Sequence, residues 1–104
     1  MARLCEVQAS IFNQMKRDLS DKSPEHITSM CICGLAEEAG EVAGLHKREL
    51  RQGPMDAARC THEKFVEELG DVLWYLVALC NCYQIDLDEL WQYNKDKLRA
   101  RYGR

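Results

Sequence analysis

A chain of 104 residues has room for one hydrophobic core, so residues 1–104 are read as a single domain. Its formal net charge of -3 supplies no global basic field, which argues against stable nucleic-acid binding. No apolar run approaches the ~20 residues of a membrane span, and Glu6 and Gln8 fall where a signal peptide would carry its apolar centre, so a cytoplasmic protein without a membrane partner is expected.

The first predicted element is a helix over 2–19, where Leu4, Val7, Ile11, Phe12, Met15 and Leu19 form an amphipathic stripe. Ser23-Pro24 then reads as an N-cap followed by the first helical position, opening a second helix over 25–51. Gln52-Gly53-Pro54 reads as its stop, with Gly53 left-handed and Pro54 blocking continuation. Thr61 can cap a third helix over 62–84, with Glu63 in its first turn. Asp86 and Glu89 have capping-box spacing and start a fourth over 87–102. Alternation at period two is absent, so no sheet is expected. The fold is predicted to be all-α, a four-helix bundle-like subunit.

After Asp71 the third helix runs "DVLWYLVALC", apolar around nearly its whole circumference. Such a helix is buried on all sides, and three short neighbours cannot wrap it. A homo-oligomer, dimer or tetramer, is therefore expected, with helices shared across the interface.

The six cysteines include two C-x-C pairs, Cys31/Cys33 and Cys80/Cys82. On a helix such neighbours point about 200° apart, unlike the C-x₂₋₄-C turn of a zinc knuckle, so reduced, mostly buried thiols are expected.

The chemistry is concentrated in "GLAEEAGEVAG", residues 34–44, where carboxylates sit among small apolar residues. Glu38 and Glu41 at i, i+3 lie about 60° apart and so share one helix face. "EELGD" repeats the device with Glu68 and Asp71. If the second and third helices pack antiparallel, the two pairs face each other. Four converging carboxylates repel unless a cation joins them, and oxygen-only ligands suit a hard ion, Mg²⁺ with Mn²⁺ as substitute. A di-iron bundle would need Glu-x-x-His, and here the i+3 partner is never histidine. Gly34, Gly40, Gly44 and Gly70 each weaken a helix by roughly 1 kcal/mol, a cost that close approach of a helix or a substrate would offset. At the C-terminus Lys95, Lys97, Arg99, Arg101 and Arg104 form a local cationic patch suited to a small anionic ligand. His26, His46 and His62 could each approach a base or phosphate but read as surface or cap residues, and Trp74 and Trp91 could stack on a base but read as packing residues.

Together "EEAGE" at 37–41, "EELGD" at 67–71 and the tail "NKDKLRARYG" at 94–103 resemble the E-E-x-x-E, E-x-x-D and N-x-x-K-L-x-x-R-Y segments of the MazG-like all-α nucleoside triphosphate pyrophosphatases. The likeness covers about residues 30 to 103. It implies Mg²⁺-dependent hydrolysis of a nucleoside triphosphate substrate between the α- and β-phosphates, giving monophosphate and pyrophosphate, as nucleotide-pool house-cleaning. By position Glu38, Glu41, Glu68 and Asp71 would be metal ligands, with Glu38, then Glu37, as the base that activates water. Lys97 and Arg101, with Asn94 and Lys95, would hold phosphates. Lys47 resembles a lysine that often follows the first motif, and Tyr75 an aromatic near the substrate in relatives. Two other readings stay open here: phosphoribosyl-ATP pyrophosphohydrolase, of the same superfamily, and a non-enzymatic helical oligomerisation module.

Overall fold

The computed structural model describes residues 2–52 and 62–103. Four helices account for nearly all of them: α1 (Leu4–Asp18), α2 (Pro24–Gln52), α3 (His62–Cys82) and α4 (Leu87–Tyr102). Among the described residues there is no strand.

The caps follow the local chemistry. Ser23 Oγ accepts the His26 N–H at 3.1 Å, so Pro24 occupies the first helical position, where its missing donor costs nothing. Asp86 Oδ1 accepts from the N–H groups of Asp88 and Glu89 at 2.9 and 3.1 Å. Gly103, at φ 69°, closes α4 by donating to the Arg99 carbonyl. The α3–α4 corner turns without glycine. Gln84 takes φ 56° while Ile85 N–H reaches the Cys80 carbonyl at 2.9 Å and Gln84 N–H the Asn81 carbonyl at 3.3 Å, the paired bonds of a Schellman ending. The left-handed conformation costs glutamine roughly 1 kcal/mol. The stop read at Gly53-Pro54 and the cap at Thr61 lie outside the described residues.

α3 is the central element, packed against α2 on one side and α1 on another. Three pairs fix the α2–α3 direction: Cys31 neighbours Cys82, Gly34 lies against the Tyr75 ring, and Glu38 approaches Glu68 and Asp71. Numbers rise on one helix as they fall on the other, so the two are antiparallel. α1 is tied to α3 by side-chain amides. Gln8 Nε2 donates to Asn81 Oδ1 at 3.0 Å and to the Ile85 carbonyl at 2.7 Å, while its Oε1 accepts from Leu87 N–H at 2.9 Å. One turn and a half further along α1, Gln14 Oε1 accepts the Trp74 indole N–H at 2.6 Å.

The buried core is small: Ile11, Met15, Cys31, Val77, Ala78, Cys80 and Leu87. Two members of the α1 stripe, Leu4 and Phe12, are exposed instead, Phe12 with Lys16 Nζ over its ring at 5.1 Å. The thiols divide similarly. Cys31 and Cys80 are buried, Cys82 is half-buried, and Cys5 and Cys33 are exposed, so the expectation of mostly buried thiols holds only in the core. Within one chain α3 is not enclosed: Val66, Leu69, Leu73 and Leu76 remain 54, 53, 49 and 37 % exposed. They recur at steps of three, four and three along one face, the spacing of a helix-packing seam. Leu73 and Leu76, with α4, border an apolar groove that also includes Leu4, Leu90 and Trp91. The radius of gyration, 16.6 Å, exceeds the ≈ 13 Å of a compact 100-residue domain. No described helix is long and apolar enough to cross a membrane.

Candidate active site

The α2–α3 contact positions the acids. One carboxylate oxygen from each of Glu38, Glu68 and Asp71 lies within 4.8 Å of the other two. Glu68 is nearly buried at 9 % exposure, Glu38 is half-buried and Asp71 opens to solvent. The i, i+3 spacing of Glu68 and Asp71 aims both at α2, as the sequence pattern requires. Glu41, one turn beyond Glu38, is exposed and stands outside this trio. Glu37 is also exposed.

Burial first, then the charge of Asp71, a hydrogen bond with Glu68 and the charges of Glu68 and Glu37, raise the Glu38 pKa above the ordinary carboxylate value. Each cause disfavours a second negative charge in the same space. Lys64 adds a cation at the rim, its Nζ 3.8 Å from Glu68 and 3.9 Å from Glu67. Tyr75 is raised as well, by burial and then by Glu38, Glu37, Cys31 and Asp71, so its phenol stays a proton donor beside the acids.

A cleft of about 300 Å³ opens beside this trio, lined by Glu38, Asp71, Trp74 and Tyr75. Its size is at the small end of ligand pockets. The Trp74 and Tyr75 rings meet edge to face, their centroids 5.3 Å apart at 81°. Tyr75 lies so close to Gly34 that a Cβ there would overlap its ring. Gly34 therefore supplies the close approach read from the glycines, whereas a Cβ at Gly40, Gly44 or Gly70 would meet open space. Trp74 packs against the core, as read from the sequence, and in addition lines the cleft, which spacing alone does not select. Its i+3 spacing from Asp71 sets it on the same face of α3.

The cationic candidates are elsewhere. Asn94 lines the groove with Leu73, Leu76 and Trp91. At 100° per residue, the α3 face formed by Leu73, Leu76 and Val77 is roughly opposite the one carrying Glu68 and Asp71. Lys95 and Arg101 on α4 are exposed and Lys97 is half-buried, and α4 packs chiefly against α1. Lys47 is exposed on α2 beyond Glu41. Of the proposed binding side chains the cleft lining includes Tyr75 alone. Oxygen donors on two rigid helices, three of them converging, make a site able to hold a hard divalent cation and the anion it attracts.

The family model of the MazG nucleotide pyrophosphohydrolase domain matches residues 27–103. The chain is also similar to the Gene 37 protein of Mycobacterium phage L5, with 37% identity over 76 residues, 73% of this chain and 67% of the phage protein. No solved structure matches it.

Proposed function

The chain belongs to the MazG nucleotide pyrophosphohydrolase family, and on that premise we propose that it hydrolyses (d)NTPs to the monophosphate and pyrophosphate with Mg²⁺, clearing unwanted nucleotides in the cytoplasm. The observation that carries this reading is the convergence of Glu38, Glu68 and Asp71 across two helices.

A triphosphate brings roughly four negative charges, which three carboxylates alone would repel. Their donor set fits Mg²⁺: hard carboxylate oxygens, with Asp71 open to solvent. A bound Mg²⁺ would supply charge neutralisation and polarisation at phosphorus. Glu68 and Asp71 from α3 and Glu38 from α2 would hold the ion, with Glu41 as the further ligand. Glu38, whose pKa is raised by burial and by its acidic neighbours, would take the proton of the attacking water. Exposed Glu37 assists through its charge. Tyr75 donates its phenolic proton to a substrate oxygen.

The anion-binding side chains on α4, namely Asn94, Lys95, Lys97 and Arg101, are read as serving a second copy of the chain. The exposed α3 seam and the placement of α4 on the far side of α3 support a homo-oligomer in which a basic tail meets its partner's acids. Lys47, exposed on the same helix as Glu38, is assigned to the outer phosphate.

The test is pyrophosphate release across common and modified (d)NTPs, with and without Mg²⁺. Release that requires the metal and is lost in Asp71→Ala is expected. Release undiminished by that substitution in a normally folded protein would overturn the assignment.

A further inference from the structure

Trp74 stands one helical turn beyond Asp71 and borders the same cleft. Its indole N–H crosses to α1 and donates to Gln14 Oε1 at 2.6 Å. An indole nitrogen can only donate, so this bond also settles which way the Gln14 amide is turned. Tyr75 meets the indole edge to face and is itself pressed on Gly34. The ring is thus fixed at its polar edge by α1 and at its flank by α3 and α2. It is half-buried, packed partly against the core, and lines the cleft. Gln14 precedes residues 27–103, so the family match does not account for this arrangement.

An immobilised aromatic beside a carboxylate cluster gives the cleft two unlike ends. One takes a metal-bound polyphosphate, and the other offers a flat apolar surface that a phosphate or a sugar alone cannot use. Every nucleobase has a π-face, and stacking on a side-chain ring is tolerant of base identity. Holding the ring in advance spares the ordering cost at binding.

We propose that Trp74 is the nucleobase platform of this site and that Gln14 is the positioning residue that sets its plane, so the ligands are base-bearing nucleotides rather than inorganic polyphosphates or phosphosugars. The inference rests on the triphosphate reading above.

The experiment uses Trp91→Phe, which leaves Trp74 as the chain's one tryptophan and alters the apolar groove away from the acids. With Mg²⁺ present, a non-hydrolysable nucleoside triphosphate should quench Trp74 emission, whereas inorganic tripolyphosphate should bind without quenching. In steady-state assays Trp74→Ala should raise KM roughly ten- to a hundredfold, the worth of one stacked base. Trp74→Phe should recover most of that loss, and the Ki of tripolyphosphate should stay within twofold. Gln14→Leu should raise KM severalfold at unchanged kcat. Equal weakening of nucleotide and tripolyphosphate in Trp74→Ala would reduce Trp74 to a structural role, and no weakening of either would remove it from the site; both overturn the proposal. Failure of the enzyme reading looks different: the unsubstituted protein then releases no pyrophosphate, yet nucleotide-specific quenching would still uphold the platform, and its absence would sink it.

Discussion

Glu38 on α2 brings a carboxylate oxygen within 4.8 Å of one on Glu68 of α3. Carboxylates that close repel each other, so the pair is a place where positive charge is wanted. Glu38→Gln offers Glu68 a hydrogen-bond donor and removes one like charge. Without metal its Tm should equal or exceed that of the parent. Mg²⁺ with a non-hydrolysable nucleotide should raise the parent's Tm by on the order of 5 °C or more, through binding to the folded state, and should leave the variant unmoved. Equal shifts in the two proteins would remove Glu38 from the metal site.

The trio and the outlying Glu41 make separable predictions for activity. Asp71→Ala and Glu68→Ala should each lower kcat/KM on the order of a hundredfold or more, comparable to removing a preorganised electrostatic contact. Glu41→Ala, outside the cluster, should cost less and act mainly through the Mg²⁺ concentration required. A magnesium titration of each variant separates the two kinds of loss.

Gly34 is where α2 admits the Tyr75 ring. Gly34→Ala gains helix propensity of roughly 1 kcal/mol but forces the ring away, an overpacking strain of typically 1–3 kcal/mol. A net fall in Tm is expected, together with lost activity because Tyr75 and Trp74 move. Adding Tyr75→Ala should make the alanine at 34 neutral or stabilising, so a double-mutant cycle by thermal melting measures the contact.

Alkaline pH should unfold the protein through its core thiols. Burial, then the neighbouring Cys82, pushes Cys31 from an ordinary 9.0 up to about 11, and burial raises Cys80 as well. Between those values the unfolded chain has lost the proton that the folded chain retains, so stability falls as pH rises. It is fully present below about pH 9 and lost towards pH 11. Melts across this window should show a shallower decline in Cys31→Ala, at a lower overall Tm. An unchanged slope would exclude the thiol as the cause.

The exposed seam on α3 yields a test of assembly. Leu73→Glu or Leu76→Lys should convert an oligomer to monomer by sedimentation and reduce activity with it. Inactive Glu38→Ala and Lys97→Ala/Arg101→Ala proteins, mixed and refolded together, should regain partial pyrophosphate release, since a hybrid carries one intact pairing of acids and cations. No recovery, with mixed oligomers demonstrated, would place both sets of residues in one chain's site.

Much of this was written in local chemistry. Ser23-Pro24 and Asp86 declare their helix starts because a hydroxyl or carboxylate beside a free N–H caps it in almost any context. The acid pairs were readable for a similar reason: i, i+3 spacing sets two side chains on one face wherever the helix goes. What spacing does not carry is which face meets which neighbour. Glu41 shares the Glu38 face yet misses the cluster, because approach of α3 is a matter of helix crossing. Trp74 looks like core by composition, and only its distant partner Gln14 reveals a constrained ring at a site. Leu69, Leu73 and Leu76 stay exposed because an apolar sequence run does not say which neighbours cover it.

The Gln8 side chain spans 73 residues to reach Asn81 on α3 and answers a backbone acceptor at Ile85 in the α3–α4 corner and a backbone donor at Leu87, where α4 begins. Those partners exist only once the corner has turned, whereas α2 and α3 meet through closer stretches of chain. Loop-closure entropy therefore makes the N-terminal helix the last piece to lock, a keystone rather than a foundation. Native-state amide exchange should find α1 opening at lower free energy than Val77–Cys80, and equal protection across both would show that the whole subunit closes in a single step.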